Sequence, residues 1–144
     1  MKVVVTNSEN ASVKVDNKIV GQIDKGLLVL VGFTEGDNMD SIKYLVNKIV
    51  KLRIFIDSNG VMNKNVLDIN GSILSVSQFT LYADTKKGNR PSYIKALNRE
   101  ESIKLYNLFN EELRKYVHVE EGIFGANMIV SNNNIGPTTI IMEV

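Results

Sequence analysis

The stretch Gly26-Leu27-Leu28-Val29-Leu30-Val31-Gly32-Phe33, GLLVLVGF, decides the fold. It is an unbroken apolar run bounded by glycines, whereas a strand with one wet face alternates apolar and polar residues. The run therefore predicts a strand buried on both faces. Upstream of it, Lys2–Thr6, Ala11–Asp16 (with alternating Val13 and Val15) and Lys18–Ile23 also read as strands. Asp16-Asn17 between the last two is a short hairpin signal.

Downstream, Met39, Ile42, Leu45, Val46, Ile49 and Leu52 recur at three- and four-residue spacing. They predict a helix from about Asp37 to Leu52, capped by Asp37 or Asp40. Arg53–Ile56 reads as a strand, Asp57-Ser58-Asn59-Gly60 as a turn, and Gly71–Leu81 as a further strand. A second helix is expected from Asn98 to about Tyr116. Asn98 caps it, Glu101 follows three residues on, and Ile103, Tyr106, Phe109 and Leu113 form its apolar stripe. Two or three strands between about Val117 and Val144 close the chain. The expected fold is one α/β domain over residues 1–144, mixed and α+β-like, with strongly curved mixed sheets and two main helices packed on them. No repeat or linker divides it. So many strands in a small chain create edges, which invite a partner.

The composition narrows the chemistry. At 144 residues and 44% hydrophobic, the chain can bury one real core. It has no cysteine, so disulfides, thiolate metal sites and a cysteine nucleophile are excluded. A single histidine, His118, leaves no His-rich metal cluster, and no metal or cofactor is expected. Met1-Lys2-Val3-Val4-Val5 lacks the pattern of a signal peptide and no segment has the length of a membrane span, so a cytoplasmic location is expected. Seventeen basic against sixteen acidic side chains give a net charge of +1. A protein that coats nucleic acid carries a clearer basic excess. Contact with a polynucleotide is therefore expected at a short end only.

Familiar catalytic constellations are missing. Gly21, Gly26 and Gly32 have turn and strand-end spacing, not that of a phosphate loop. His118 has no triad partners nearby in sequence, and Asp57 and Asp68 sit in Asn/Gly-rich turns where aspartate is ordinary. What stands out is SVSQFTLYADTKKGNRPSY, Ser75–Tyr93. Its Ser77-Gln78-Phe79-Thr80-Leu81 sets polar side chains at the end of an apolar strand. On spacing alone, a strand with one solvated face explains it. The basic loop behind, with Lys86, Lys87 and Arg90, is by default a solvated turn, but its position suits a phosphate-bearing substrate. A second stretch, Asn132–Thr139 (NNNIGPTT), holds one of the only two prolines.

On these residues the chain resembles the D-aminoacyl-tRNA deacylases over nearly its whole length. The likeness rests on Ser77–Leu81, on Ala83-Asp84-Thr85 with Gly88-Asn89-Arg90-Pro91-Ser92, and on Asn134-Ile135-Gly136-Pro137-Thr138-Thr139. It implies a homodimeric enzyme that hydrolyses the ester between a D-amino acid and the terminal adenosine of tRNA. Gln78, Phe79 and Thr80 then form the catalytic motif, while Ser77, Gly136, Pro137 and Thr138 bind substrate. Lys86, Lys87 and Arg90 hold the tRNA acceptor end. The resemblance also implies a cis peptide bond between Gly136 and Pro137, and delivery of that pair into the partner's pocket. Where the family's first strand runs on into Gln-Arg-Val, with an arginine that helps hold the Gly-Pro element, this chain has Thr6-Asn7-Ser8.

This arrangement sorts handedness with main-chain atoms. If fixed acceptors hold the α-ammonium and the ester is held elsewhere, one hand directs its side chain outward and the other drives Cβ into a wall. Glycine, with no Cβ, is expected to enter too. Thr80 has no adjacent base, and an unassisted threonine hydroxyl is a poor nucleophile. The expected reaction is substrate-assisted hydrolysis, using the adenosine's vicinal hydroxyl and backbone N–H groups near Gln78 and Phe79 as the oxyanion donors. The rival readings are a non-catalytic dimeric RNA-end binding module and a deacylase of other misacylated tRNAs.

Overall fold

Two long antiparallel strands carry the architecture. In the computed structural model, which describes residues 1–144, β1 spans Lys2–Val15 and β2 spans Lys18–Gly32. Asp16 and Asn17 join them with φ of 49° and 62°, the two-residue turn whose twist matches paired strands. The four short strands expected between Lys2 and Phe33 are thus two long ones. A left-handed residue at Asn10 (φ 52°) and a register shift between Val13 and Lys14 absorb the bends. Such irregularities insert curvature without ending a ladder, so breaks in apolar alternation overstate the number of strands.

The main sheet is completed by β5 (Ser72–Ser77), β6 (Val119–Glu121) and β7 (Ile129–Glu143), in the order β6-β5-β2-β1-β7. β2 pairs in parallel with β5, and β5 with β6, while β1 pairs antiparallel with β2 and β7. The sheet is mixed and remains open at both edges. A small antiparallel pair, β3 (Phe55–Ile56) and β4 (Met62–Lys64), stands apart. β3 is shorter than the Arg53–Ile56 expectation.

The Gly26–Phe33 run behaves as its sequence predicts. Leu27, Val29 and Val31 enter the larger core beneath the helices, with Val3, Val5 and Ile73. Leu28 faces the opposite way, with Ala11, Val13, Ile23, Leu74 and Val76. Burial on both faces is the hallmark of a central strand in a parallel register. Gly26 is obligatory on two counts: its φ is 147°, and an added Cβ would overlap the backbone of Ser72.

Helix α1 (Met39–Val50) buries Ile42, Leu45, Val46, Ile49 and Val50. Its cap is Asn38, whose carboxamide oxygen accepts the N–H groups of Asp40 (2.8 Å) and Ser41 (3.3 Å). Asp37 is engaged elsewhere, accepting the Thr34 N–H at 2.8 Å and pairing with the Met1 α-ammonium. Helix α2 (Arg99–Arg114) starts where expected. Asn98 accepts the Glu101 N–H at 3.0 Å and donates to the Glu101 carboxylate at 2.6 Å. Its inner face keeps Tyr106, Phe109 and Leu113 of the expected stripe and adds Ser102, Asn110 and Glu112. Ile103 is exposed, and Ser102 takes the inner position because its hydroxyl donates to Leu97 O at 3.1 Å.

Candidate active site

The Ser77–Leu81 motif is not a continuous strand. β5 stops at Ser77, and Phe79–Tyr82 form a 3-10 helix. Gly32, at the end of β2, supplies the room. A Cβ there would lie 2.8 Å from Gln78 O and 3.3 Å from Leu81 Cβ, so the chain turns over the strand end only because that position is glycine. Sequence alternation could not reveal this contact, since Gly32 and Gln78 are far apart along the chain.

The turn aims the motif at a cavity. Ser77, Gln78 and Phe79 line a space of about 500 Å³ at the end of the parallel strands, a size that suits a small organic ligand. Val31 and Phe33 also line it. Leu97 comes from just before α2, Arg99 and Ser102 from its first turn, and Phe124, Gly125 and Met128 from the segment between β6 and β7. Thr80 is not in the wall; its hydroxyl accepts a hydrogen bond from the Gln78 carboxamide. The Gln78 N–H is committed to Val31 O at 2.7 Å, which removes it as a free oxyanion donor. The Phe79 and Thr80 N–H groups precede the first turn bond, from Leu81 N–H to Gln78 O, in the position where a helix start leaves donors unused.

The basic loop adjoins this wall. Asp84 and Ser92 exchange backbone hydrogen bonds of 2.8 and 2.9 Å, closing the loop that carries Lys86, Lys87 and Arg90. These three side chains are exposed and enter no ion pair. The Asp84 carboxyl is held below its usual range by the Lys86 N–H and then by Lys95. Tyr93, just past the loop, meets the exposed Phe79 ring edge-on, with centroids 5.0 Å apart.

Gly136, Pro137 and Thr138 lie elsewhere. They interrupt the pairing of β7 with β1. Thr139 is opposite Thr6 and Asn134 opposite Ser8, so Ile135–Thr138 arch out opposite Asn7 alone. The Gly136–Pro137 peptide bond is cis, and Gly136 has φ 119°. Gly136 and Pro137 are exposed, Thr138 is buried, and none of the three lines the cavity of its own chain. The arch is fastened by Asn134, a residue absent from the expected site. Its carboxamide oxygen accepts the Thr138 N–H at 2.9 Å, and its amide donates to Thr139 Oγ1 at 2.8 Å. Asn132 adds a bond to Ser8 Oγ at 3.0 Å. The signal for this role was the asparagine itself, a residue that readily closes local backbone turns.

His118 is remote from the cavity and sits 2.8 Å from Glu120. Asp57 and Asp68 each cap a turn: Asp57 accepts the N–H groups of Asn59 and Val61, and Asp68 that of Asn65. Displaced proton affinities fall on Asp57 and Asp84, which are lowered, and on Tyr82, Tyr106 and Lys115, which are raised. None of these groups lines the cavity, so its walls present no tuned acid or base.

An open mixed sheet with two helices and a cavity where its parallel strands end is a fold shared with known structures. The chain superposes on a c-Myc DNA unwinding element binding protein at TM-score 0.95 with 39% identity, covering 100% of this chain and 99% of that one. It also shares its fold with a probable eukaryotic D-amino acid tRNA deacylase, at TM-score 0.83 and 17% identity, covering 99% and 98%. The class is set by a family model that matches nearly the whole chain: an ester hydrolase acting on aminoacyl-tRNA. The family model described as D-Tyr-tRNA(Tyr) deacylase matches residues 4–143, and the chain belongs to that family.

Proposed function

We propose that this chain removes D-amino acids from tRNA by using two copies to build each site. The terminal adenosine and its ester occupy the cavity lined by Ser77, Gln78 and Phe79, and Gly136, Pro137 and Thr138 of a second copy complete it. The observation that carries this reading is the separation of the two motifs: the Gly-Pro arch stands exposed on an edge strand, outside the cavity of its own chain. β7 is fifteen residues long and exposes Ile129, Val130, Ile135 and Ile141. A long apolar edge of this kind calls for a covering partner, here another copy in a homodimer. Lys86, Lys87 and Arg90 then hold the phosphates of the acceptor end, and the protein works in the cytoplasm.

Within the site, the α-ammonium is pinned by main-chain acceptors of the arch. Water attacks the ester carbonyl with help from the adenosine's free hydroxyl. The N–H groups of Phe79 and Thr80 stabilise the oxyanion, and Gln78, braced by Thr80, orients the nucleoside. The absence of a tuned base among the cavity walls supports this division of labour.

Release of D-tyrosine and L-tyrosine from separately charged tRNA tests the reading. Release of the D form alone is expected, by a factor of at least about a hundred, since a hard overlap supplies several units of about 1.4 kcal/mol. Equal release would indicate a looser deacylase, and no release a binding module. Glycyl-tRNA should also be cleaved; resistance of glycyl-tRNA would mean that side-chain contacts, not a clash at Cβ, do the sorting.

A further inference from the structure

We infer that Arg99 is a phosphate subsite of the cavity, holding the 5′-phosphate of the terminal nucleotide; this rests on the nucleoside placement proposed above. Fifteen residues line the cavity, nine of them hydrophobic, and Arg99 is the one charged side chain among them. It stands at the first position of α2 and takes part in none of the ion pairs. The nearest acidic neighbours in sequence are Glu100 and Glu101, and the Glu101 carboxylate is engaged by Asn98 at 2.6 Å.

The guanidinium is also seated against Gly125. Gly125 has φ 75°, and a Cβ added there would lie 3.0 Å from Arg99 Nη2 and 3.2 Å from its Cζ. The group therefore rests across the bare Gly125 backbone at the cavity wall, where a side chain would displace it. An unpaired guanidinium beside apolar walls is matched by an anion with two or more acceptor oxygens, which its planar fork engages in parallel. A nucleoside ester docked at Ser77–Phe79 offers one such group, the phosphate on its 5′ side.

The probes are AMP and adenosine, which present the terminal nucleotide with and without that phosphate. Wild-type protein should bind AMP more tightly than adenosine by roughly tenfold. Arg99→Gln should erase the advantage, Arg99→Lys should keep part of it, and Gly125→Ala should weaken it by displacing the guanidinium. On D-tyrosyl-tRNA, Arg99→Gln should raise KM and flatten its salt dependence by about 0.7 in log–log slope, the value for one phosphate on a single strand. Arg99 is exposed, so the variant should keep its thermal midpoint. Equal wild-type affinity for AMP and adenosine, or an advantage that survives Arg99→Gln, overturns the assignment. An AMP advantage lost in Arg99→Gln with an unchanged KM for tRNA also overturns it, because the subsite would then serve a free nucleotide. A protein that shows the AMP effect but cleaves no D-aminoacyl ester keeps the subsite and refutes the deacylation scheme instead.

Discussion

The side chain of Asn134 holds the backbone of Thr138, accepting its N–H at 2.9 Å across the Ile135–Thr138 arch. A second bond from the same carboxamide to Thr139 Oγ1, at 2.8 Å, makes it a two-point brace. Asn7 is buried opposite the arch and makes no such bond. Asn134→Asp keeps the acceptor and loses the donor; Asn134→Ala loses both. Each bond is worth about 1 kcal/mol, so deacylation should fall roughly thirtyfold for Ala and roughly fivefold for Asp, checked by kcat/KM on D-tyrosyl-tRNA.

Gly32→Ala tests how the motif is aimed. Its new Cβ would press on Gln78 O at 2.8 Å and shift the turn bearing Gln78 and Phe79. Overpacking of this kind costs about 1–3 kcal/mol of stability, readable in chemical denaturation. Misplacing a catalytic group by about 1 Å lowers the rate on the order of a hundredfold. Lost stability with a full kcat would show that the turn does not position the chemistry.

In the proposed scheme Thr80 braces Gln78, whose carboxamide donates to its hydroxyl, and does not attack. Thr80→Ala should therefore reduce kcat by roughly fivefold, the scale of one lost hydrogen bond, while Thr80→Ser stays near wild type. Single-turnover rates distinguish this from a nucleophile, whose removal takes away several orders of magnitude.

The pH profile should carry no inflection from a protein base. The displaced groups all move away from neutrality, Asp57 and Asp84 downward and Tyr82, Tyr106 and Lys115 upward. For Asp84 the lowered folded value means its loop-ordering contribution is present above the ordinary 3.8 and lost only as pH falls through the folded value. The loop is thus unchanged across an assay range of about pH 5 to 8, and kcat/KM should rise steadily with hydroxide. His118→Ala should trace the same curve, since His118 is paired with Glu120 outside the cavity. An acid limb that vanishes in that variant would place His118 in the reaction.

The fold is legible where short-range pattern and long-range environment agree. The Gly26–Phe33 run announces a strand buried on two faces, and Asp16-Asn17 and Asn98 mark a hairpin and a cap that form as expected. Legibility fails where a distant contact decides. Asp37 leaves the α1 cap to Asn38 because the N-terminus claims it. The strand through Ser77–Leu81 ends early because Gly32 lets the chain turn. The two site motifs are recognisable as residues, yet spacing could not place Gly136 and Pro137 on an edge strand outside their own chain's cavity. Nor could it single out Arg99, whose role depends on Gly125.

Subunit complementation tests the shared site most directly. Gly136→Ala, whose Cβ would strike Thr138, disables the arch, and Gln78→Ala disables the cavity. Each variant alone should be nearly inactive. Refolded together in equal amounts, half the dimers pair one of each, and one of the two sites in such a dimer is intact. Activity per chain should return to roughly a quarter of wild type, as random pairing in a twofold dimer requires. A mixture no more active than the separate variants would contradict the account, because both motifs would then serve the site of a single chain.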